Sequence, residues 1–362
     1  MNNLSQKLLA WFAIHARDLP WRRTYDPYQV WVSEIMLQQT QMERVVLYFN
    51  RWLQRFPDLV ALARADEEEV LKHWEGLGYY SRARKLLKAG KIVVEQWNGR
   101  LPADYDRLLT LPGIGPYTAG AIMSIAFNHD CPVVDGNVER VFARVFDLDS
   151  PVKTNENRRF IQRKAAQLLP PGEARRFNQA LMELGALVCL PKSPRCEECP
   201  LTRTCESRRL GIVSDRPVPG TTDSMIPIEV ANGVLIHQDR VFIQKRRAGG
   251  VWANLWEFPG GQVEPGEEPA ATVAREFFEE TELRVHPTTR ITVIKHGYTR
   301  YRVTLHCFLC ELTDFTARPV IHAAQDWRWA AWEELAELAF PAPHRKLIDL
   351  LEQEPLSLAR SA

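Results

Sequence analysis

The chain has 362 residues, 45% of them apolar and 25% charged, with 24 prolines, 19 glycines and a formal net charge of +1. That composition excludes a disordered, collagenous or disulfide-scaffold protein, and the length predicts about two domains. No run approaches the ~18 apolar residues of a membrane span, and the Leu8 to Ala16 stretch has no basic lead, so a soluble, unexported, cytoplasmic protein is expected.

The charge is uneven along the chain. Residues 1–210 carry 30 Lys and Arg against 24 Asp and Glu, a balance of +6, and the remainder carries 16 against 21, a balance of −5. A basic front half fits a polyanion partner, and an acidic back half does not.

Residues 4–210 read as almost entirely helical, because apolar residues recur at three and four spacing between caps and breakers. Asp26-Pro27-Tyr28-Gln29 supplies an N-cap, a first-turn proline and a reciprocal capping glutamine. The helix that follows holds Glu34 among Val32, Ile35, Met36 and Leu37. Further on, Leu111-Pro112-Gly113-Ile114-Gly115-Pro116-Tyr117 reads as a helix end, a glycine turn and a new helix from Pro116. Gly113 and Gly115 let the backbone approach a bulky partner, and the N–H groups of the new helix suit a phosphate. A tight helix–helix turn accounts for the same residues. In Val133-Val134-Asp135-Gly136-Asn137 a carboxylate falls at a glycine turn, where it can cap the next helix.

Four of the seven cysteines crowd together as Cys189, Cys196, Cys199 and Cys205, spaced Cys-x6-Cys-x2-Cys-x5-Cys, while Cys131, Cys307 and Cys310 are scattered. An odd count argues against disulfides, and four thiolates in one short segment suit a soft metal centre. Zinc sites usually show two Cys-x2-Cys pairs, and only one is present.

Periodicity stops between Ser207 and Pro227, and Arg216 to Ser224 reads as an extended linker. The period then becomes two: Ile228 to Ile236, a turn at Gln238-Asp239, and Val241 to Lys245 predict a hairpin. A helix from Ala270 to Leu283, strands at Ile291 to Lys295 and Tyr301 to Leu312, and C-terminal helices follow. The expected fold class is therefore multidomain: an all-α domain over 1–206 with the cysteine loop at 189–205, a linker over 207–226, and a small α/β domain over 227–362.

The glycine hairpin followed by Asp135 resembles the helix-hairpin-helix glycosylase superfamily, which removes damaged or mispaired bases from DNA. The cysteine spacing is similar to that closing the catalytic domain in its endonuclease III and adenine glycosylase branches, where it holds a [4Fe-4S] cluster. That resemblance implies a scaffolding cluster presenting Lys192, Arg195 and Arg203 to a phosphate backbone. Endonuclease III has a lysine in the hairpin segment where this chain has Tyr117, and a phenol forms no Schiff base. Leu19-Pro20-Trp21-Arg22, Val32 to Thr40 and Gly76-Leu77-Gly78-Tyr79-Tyr80-Ser81 resemble the adenine DNA glycosylase family, MutY.

Adenine expelled as an anion is a poor leaving group, so an acid must protonate the ring, and the sugar left behind becomes cationic. General acid help supplies ~10²- to 10⁴-fold, about 3 to 5.5 kcal/mol, whereas enzymes commonly lower barriers by ~8 kcal/mol or more. A second, ionised carboxylate beside the cation is therefore needed. Glu34 suits the proton donor, because burial raises a carboxyl pKa, and Asp135 at a polar turn suits the anion. The resemblance implies these roles, with Asn137 and Tyr117 assisting. It also implies that Gln39 and Tyr79 enter the base stack and that Trp21, Arg22, Leu37, Glu173 and Gln179 line an adenine pocket. Gln38, Thr40, Leu77, Gly78, Tyr80, Ser81, Gly113 and Gly115 complete the expected DNA contacts.

Residues 228–350 resemble a Nudix domain, with Trp252 to Gly261 leading into its box. Gly261, Glu267, Arg275, Glu276, Phe277, Glu279, Glu280 and Leu283 match the pattern, and Glu282 replaces its final glycine. Glu276, Glu279 and Glu280 share a helix face, where a cation such as Mg²⁺ would relieve their repulsion. Members of the MutY family use this domain to recognise 8-oxoguanine, many through Phe-Ser-His, and Tyr298-Thr299-Arg300 stands at the matching place. The combined expectation is a monomeric, monofunctional, nucleoid-associated glycosylase of base excision repair. Its partner is double-stranded DNA with adenine opposite 8-oxoguanine or guanine, and protein partners are not legible. The alternatives are a Nudix pyrophosphohydrolase of oxidised nucleotides and an endonuclease III-like glycosylase/lyase.

Overall fold

The computed structural model of the chain describes residues 3–220, 224–298 and 300–353, with no side chain described for Tyr298. Thr299 and the Tyr298 side chain, both expected to read the lesion, therefore lie outside the described residues. Two compact units result: Met1–Arg64 with Lys85–Thr222, and Ala65–Arg84 with Asp223–Ala362. Among the described residues no helix is long and apolar enough to cross a membrane.

The first unit is helical. Its core gathers Leu4, Leu8 and Phe12 of the helix Asn3–His15, Val141 and Phe142 of Gly136–Val145, Ile161 of Asn155–Leu168, and Phe177, Leu181 and Leu184 of Ala174–Leu187. The sets from the first and last of these helices follow the three-four spacing that puts apolar side chains on one helix face. The helix Pro27–Leu37 begins as the sequence predicts, with Asp26 Oδ1 accepting the Gln29 N–H at 3.0 Å and Pro27 in the first turn. Gln29 does not reach back to its cap; its amide oxygen accepts from the Thr24 hydroxyl at 3.1 Å.

Residues 207–216, expected in the linker, are folded onto this unit through a turn of helix at Glu206–Arg209 and a tighter turn at Val213–Asp215. Arg216 pairs with Asp147 at 2.8 Å, and Arg144 Nε donates to the Arg216 carbonyl at 2.9 Å.

The second unit is built on a mixed sheet with strand order β3-β2-β1-β6-β5. The strands are β1 (Ile226–His237), β2 (Arg240–Arg246), β3 (Trp256–Glu257), β4 (Gly260–Gln262), β5 (Val285–Tyr298), β6 (Tyr301–Leu312) and β7 (Ala324–Ala330). β1 runs parallel to β6, while β4 joins β1 and β7 joins β2 off the main path. The β1–β2 turn pairs His237 with Arg240 across Gln238 and Asp239, both left-handed at φ 49° and 58°. Two positive φ angles match the primed hairpin turn that suits strand twist. Helix Pro269–Thr281 packs Val273 and Phe277 against one face, and Leu347, Ile348 and Leu351 of Ala342–Gln353 pack into the other core.

Residues 65–84, read in the sequence as part of the helical domain, group with this second unit by their contacts. The reason is polar and long-range. Glu68 pairs with Lys245 at 2.9 Å and accepts from Trp256 Nε1 at 2.7 Å. Glu75 accepts from the Phe340 N–H and from Arg345 Nε, each at 2.9 Å, and the Tyr80 hydroxyl donates to the Phe340 carbonyl at 2.9 Å.

Candidate active site

Helix Pro27–Leu37 carries Glu34 inward, so that only 6% of the residue is exposed. Burial lifts its carboxyl from the ordinary 4.5 to about 7; nearby Asp135 adds to the rise, while the Tyr117 hydrogen bond and Arg22 oppose it. Tyr117 is the second residue of Pro116–Ala121, and its hydroxyl donates to Glu34 Oε2 at 3.0 Å. The Gly113 backbone is left-handed at φ 84°, and an added Cβ would come within 3.0 Å of Lys85. Glycine is thus needed to turn the chain so that Tyr117 points back at Glu34. Desolvation, with Glu34 and Asp135 close by, holds the Tyr117 phenol well above its usual range, so it stays neutral.

Asp135 caps the helix Gly136–Val145, its Oδ1 accepting the Val138 N–H at 2.8 Å and its Oδ2 the Asn137 Nδ2 at 2.8 Å. Asn137 is held in turn by Arg140 Nη2, which donates to its Oδ1 at 2.7 Å. Burial raises the Asp135 carboxyl above the usual aspartate value and these N–H donors pull it back. The turn is less polar than its sequence suggests, yet Glu34 is the carboxyl brought to about 7.

Glu34, Tyr117, Asp135 and Asn137 line a single cavity of about 800 Å³, together with Trp21, Arg22, Leu37, Gln38, Gln39, Thr40 and Gln179. Gln39 has a left-handed backbone at φ 58° just past the helix end. Glu173 does not line the cavity: it sits at the N-cap of Ala174–Leu187 and pairs with Arg176 at 3.2 Å. Gln179, Met182, Glu183 and Ala186 do, at the spacing of one helix face, and residue 173 falls off that face. Gly113 and Gly115 shape the hairpin without reaching the cavity. Leu77, Gly78, Tyr79, Tyr80 and Ser81 lie in the second unit, where Leu77 and Tyr80 are buried and Tyr79 is left-handed at φ 48°.

The expected site omitted Arg17, Lys153 and Glu183, which also line the cavity. Glu183 is 1% exposed, and Arg17 and Arg22 hold its carboxyl down to about 2 against the effect of burial. Its place four residues beyond Gln179 was the available signal.

Gly185 allows the two helices bearing the site to meet. A Cβ there would lie 2.5 Å from Asn137 Cβ and 3.1 Å from its Cα. Gly185→Ala is expected to destabilise the protein by ~1–3 kcal/mol, as overpacking does, and to displace Asn137. Urea unfolding checks the first effect, and a variant as stable as the parent would contradict this packing.

Cys189, Cys196, Cys199 and Cys205 border a separate cavity of the first unit, with Arg144, Arg195 and Arg208. Arg144 Nη1 approaches Cys189 Sγ at 3.4 Å and also donates to the Leu190 carbonyl at 2.7 Å. Among the described residues no three Cys, His, Asp or Glu side chains are placed to hold one metal ion.

Residues 32–171 match the HhH-GPD superfamily base excision DNA repair protein, and residues 231–350 match the NUDIX domain. The chain is 33% identical over 402 residues to the adenine DNA glycosylase of Rattus norvegicus, covering 96% of this chain and 78% of that one. The chain belongs to the adenine DNA glycosylase family. Another adenine DNA glycosylase, from Homo sapiens, is 32% identical over 410 residues, covering 96% of this chain and 74% of its own length. A thermostable thymine-DNA glycosylase structure matches with a TM-score of 0.53 and 30% identity, over 57% of this chain and 95% of its own. An endonuclease III–DNA complex, at 23% identity and a TM-score of 0.50 over 58% and 95%, shares the fold.

In this member of the adenine DNA glycosylase family, Arg275 joins the carboxylates of the Nudix-like box. Its guanidinium reaches Glu267 at 2.9 Å, Glu276 at 3.0 Å and Glu279 at 3.2 Å. Glu280 accepts from Gln244 at 2.8 Å and from the Gly260 N–H at 3.2 Å. An arginine of the chain therefore relieves part of the repulsion along this helix. Glu282 takes the left-handed helix cap at φ 57°, a conformation costing roughly 1–2 kcal/mol relative to glycine.

Proposed function

We propose that the chain is a monofunctional DNA glycosylase that hydrolyses the N-glycosidic bond of adenine paired with 8-oxoguanine or guanine in double-stranded DNA. The observation that carries this reading is the buried Glu34, hydrogen-bonded by a neutral Tyr117 on the cavity that Asp135 shares. A carboxyl titrating near 7 keeps its proton on about half of the molecules at neutral pH and can give it to the purine as the bond breaks. Asp135, held by the Val138 N–H and by Asn137, would face the cationic sugar and stabilise it as the anion. Turning adenine out of the duplex costs a few kcal/mol, and a cavity of about 800 Å³ has room for the nucleoside. Gln39, which lines the cavity, would fill the gap in the stack.

Tyr117 has no amine to attack the sugar, so the product is an intact strand with an abasic site. We assign a [4Fe-4S] cluster to the four cysteines, whose thiols border one cavity. When bound it would cross-link the loop 189–205 and stabilise it, and Lys192, Arg195 and Arg203 would approach phosphate. The Nudix-like domain over residues 231–350 would recognise 8-oxoguanine.

Single-turnover incubation with a duplex containing adenine opposite 8-oxoguanine tests the reading. Strand scission is expected only after hot alkali, and faster opposite 8-oxoguanine than opposite guanine. Scission without alkali would move the chain to the lyase class, and no release from either duplex would overturn the proposal.

A further inference from the structure

Glu183, on the cavity wall, accepts four hydrogen bonds from two arginines. Its Oε1 receives the Arg17 backbone N–H at 2.9 Å and Arg17 Nε at 2.8 Å. Its Oε2 receives Arg17 Nη2 at 3.0 Å and Arg22 Nη2 at 2.9 Å. Arg22 Nη1 donates onward to the Arg17 carbonyl at 3.2 Å, and its buried Nε has no hydrogen-bond partner. One carboxylate of the helix Ala174–Leu187 thereby fixes both arginines beside the helix Pro20–Thr24.

We propose that Glu183 is a positioning residue of the glycosylase site, holding Arg17 and Arg22 in one arrangement and halving the positive charge that their wall presents to Glu34. The inference rests on the adenine-excision reading above. Two guanidiniums against one carboxylate leave a single net positive charge on that wall. Glu34 is also faced by Tyr117 from Pro116–Ala121 and by Asp135 at the start of Gly136–Val145, and Lys153 is the remaining charged side chain lining the cavity. Positive charge favours ionised Glu34, so the wall's net charge sets where Glu34 loses its proton. A pair whose charge is not felt at Glu34 would leave that point unmoved.

The test follows Glu34 by carboxyl ¹³C titration in the full chain, alongside single-turnover adenine release against pH. Glu183→Gln raises the wall to two net charges, and the Glu34 midpoint and the alkaline limb of the rate should both fall, by on the order of one pH unit. Glu183→Asp keeps the charge and should return the midpoint towards the parent. Arg17→Met neutralises the wall and should shift both upward, and it carries the test alone if Glu183→Gln does not fold. Midpoints that stay with the parent's, with only amplitude lost, would overturn the proposal. Glu34 midpoints that move as stated in a protein releasing no adenine would uphold the positioning role and overturn the excision reading.

Discussion

Glu34→Gln is expected to lower single-turnover adenine release by ~10²- to 10⁴-fold, the usual range for losing a general acid. Glutamine keeps the size of the side chain and an oxygen to accept from Tyr117, so the cavity stays intact and only the transferable proton is lost. In the parent the rate should fall as pH rises through about 7, where buried Glu34 ionises. The variant should show no such limb. Adenine release within ten-fold of the parent would remove Glu34 from the role of acid.

The same substitution has an opposite effect on stability. Burial makes folded Glu34 hold its proton to about 7, whereas an unfolded glutamate gives it up near 4.5. The folded state binds that proton more tightly, so the contribution is fully present below the unfolded value and is lost as pH climbs through the folded one. A difference between 4.5 and about 7 amounts to about 3 kcal/mol at most. Glu34→Gln should therefore unfold at higher urea than the parent at pH 8, with the advantage disappearing towards pH 5. An equal difference at both pH values would show that Glu34 is not buried as a neutral acid. Stability gained where activity is lost is the pattern of a residue kept for chemistry.

Local signals were legible in the sequence and distant contacts were not. Asp26 and Pro27 start the Glu34 helix because a cap acts on N–H groups within three residues, and the β1–β2 register follows from a two-residue turn. Apolar spacing shows which helix face is buried, not what buries it. The contacts of residues 65–84 were thus not legible, since Glu68, Glu75 and Tyr80 find partners more than 170 positions away. Glu183 was missed for a related reason: a lone helical glutamate is usually solvated, and only the fold brings Arg17 and Arg22 to it. Glu173, expected at the pocket, stands at the N-cap of its helix and does not line the cavity.

Asp135 separates capping from catalysis, because one carboxylate does both. Asn at 135 can still accept the Val138 N–H through its side-chain oxygen, and Ala cannot. Asp135→Ala should cost ~0.5–2 kcal/mol of stability, as lost N-caps do, while Asp135→Asn should lose much less. If the negative charge stabilises the developing sugar cation, both variants should slow adenine release similarly, by ~10²- to 10³-fold, the scale of one preorganised electrostatic group. The Asn variant carries a further signature: Asp135 helps raise the Glu34 pKa, so its neutralisation should shift the Glu34 midpoint downward. Rates from both variants, paired with urea midpoints, decide the matter. An Asn variant that is stable and fully active would leave Asp135 as a helix cap alone, and the cation would then need another anion on the cavity wall. Glu183 is ill-suited to that task, since both of its oxygens are already taken by Arg17 and Arg22.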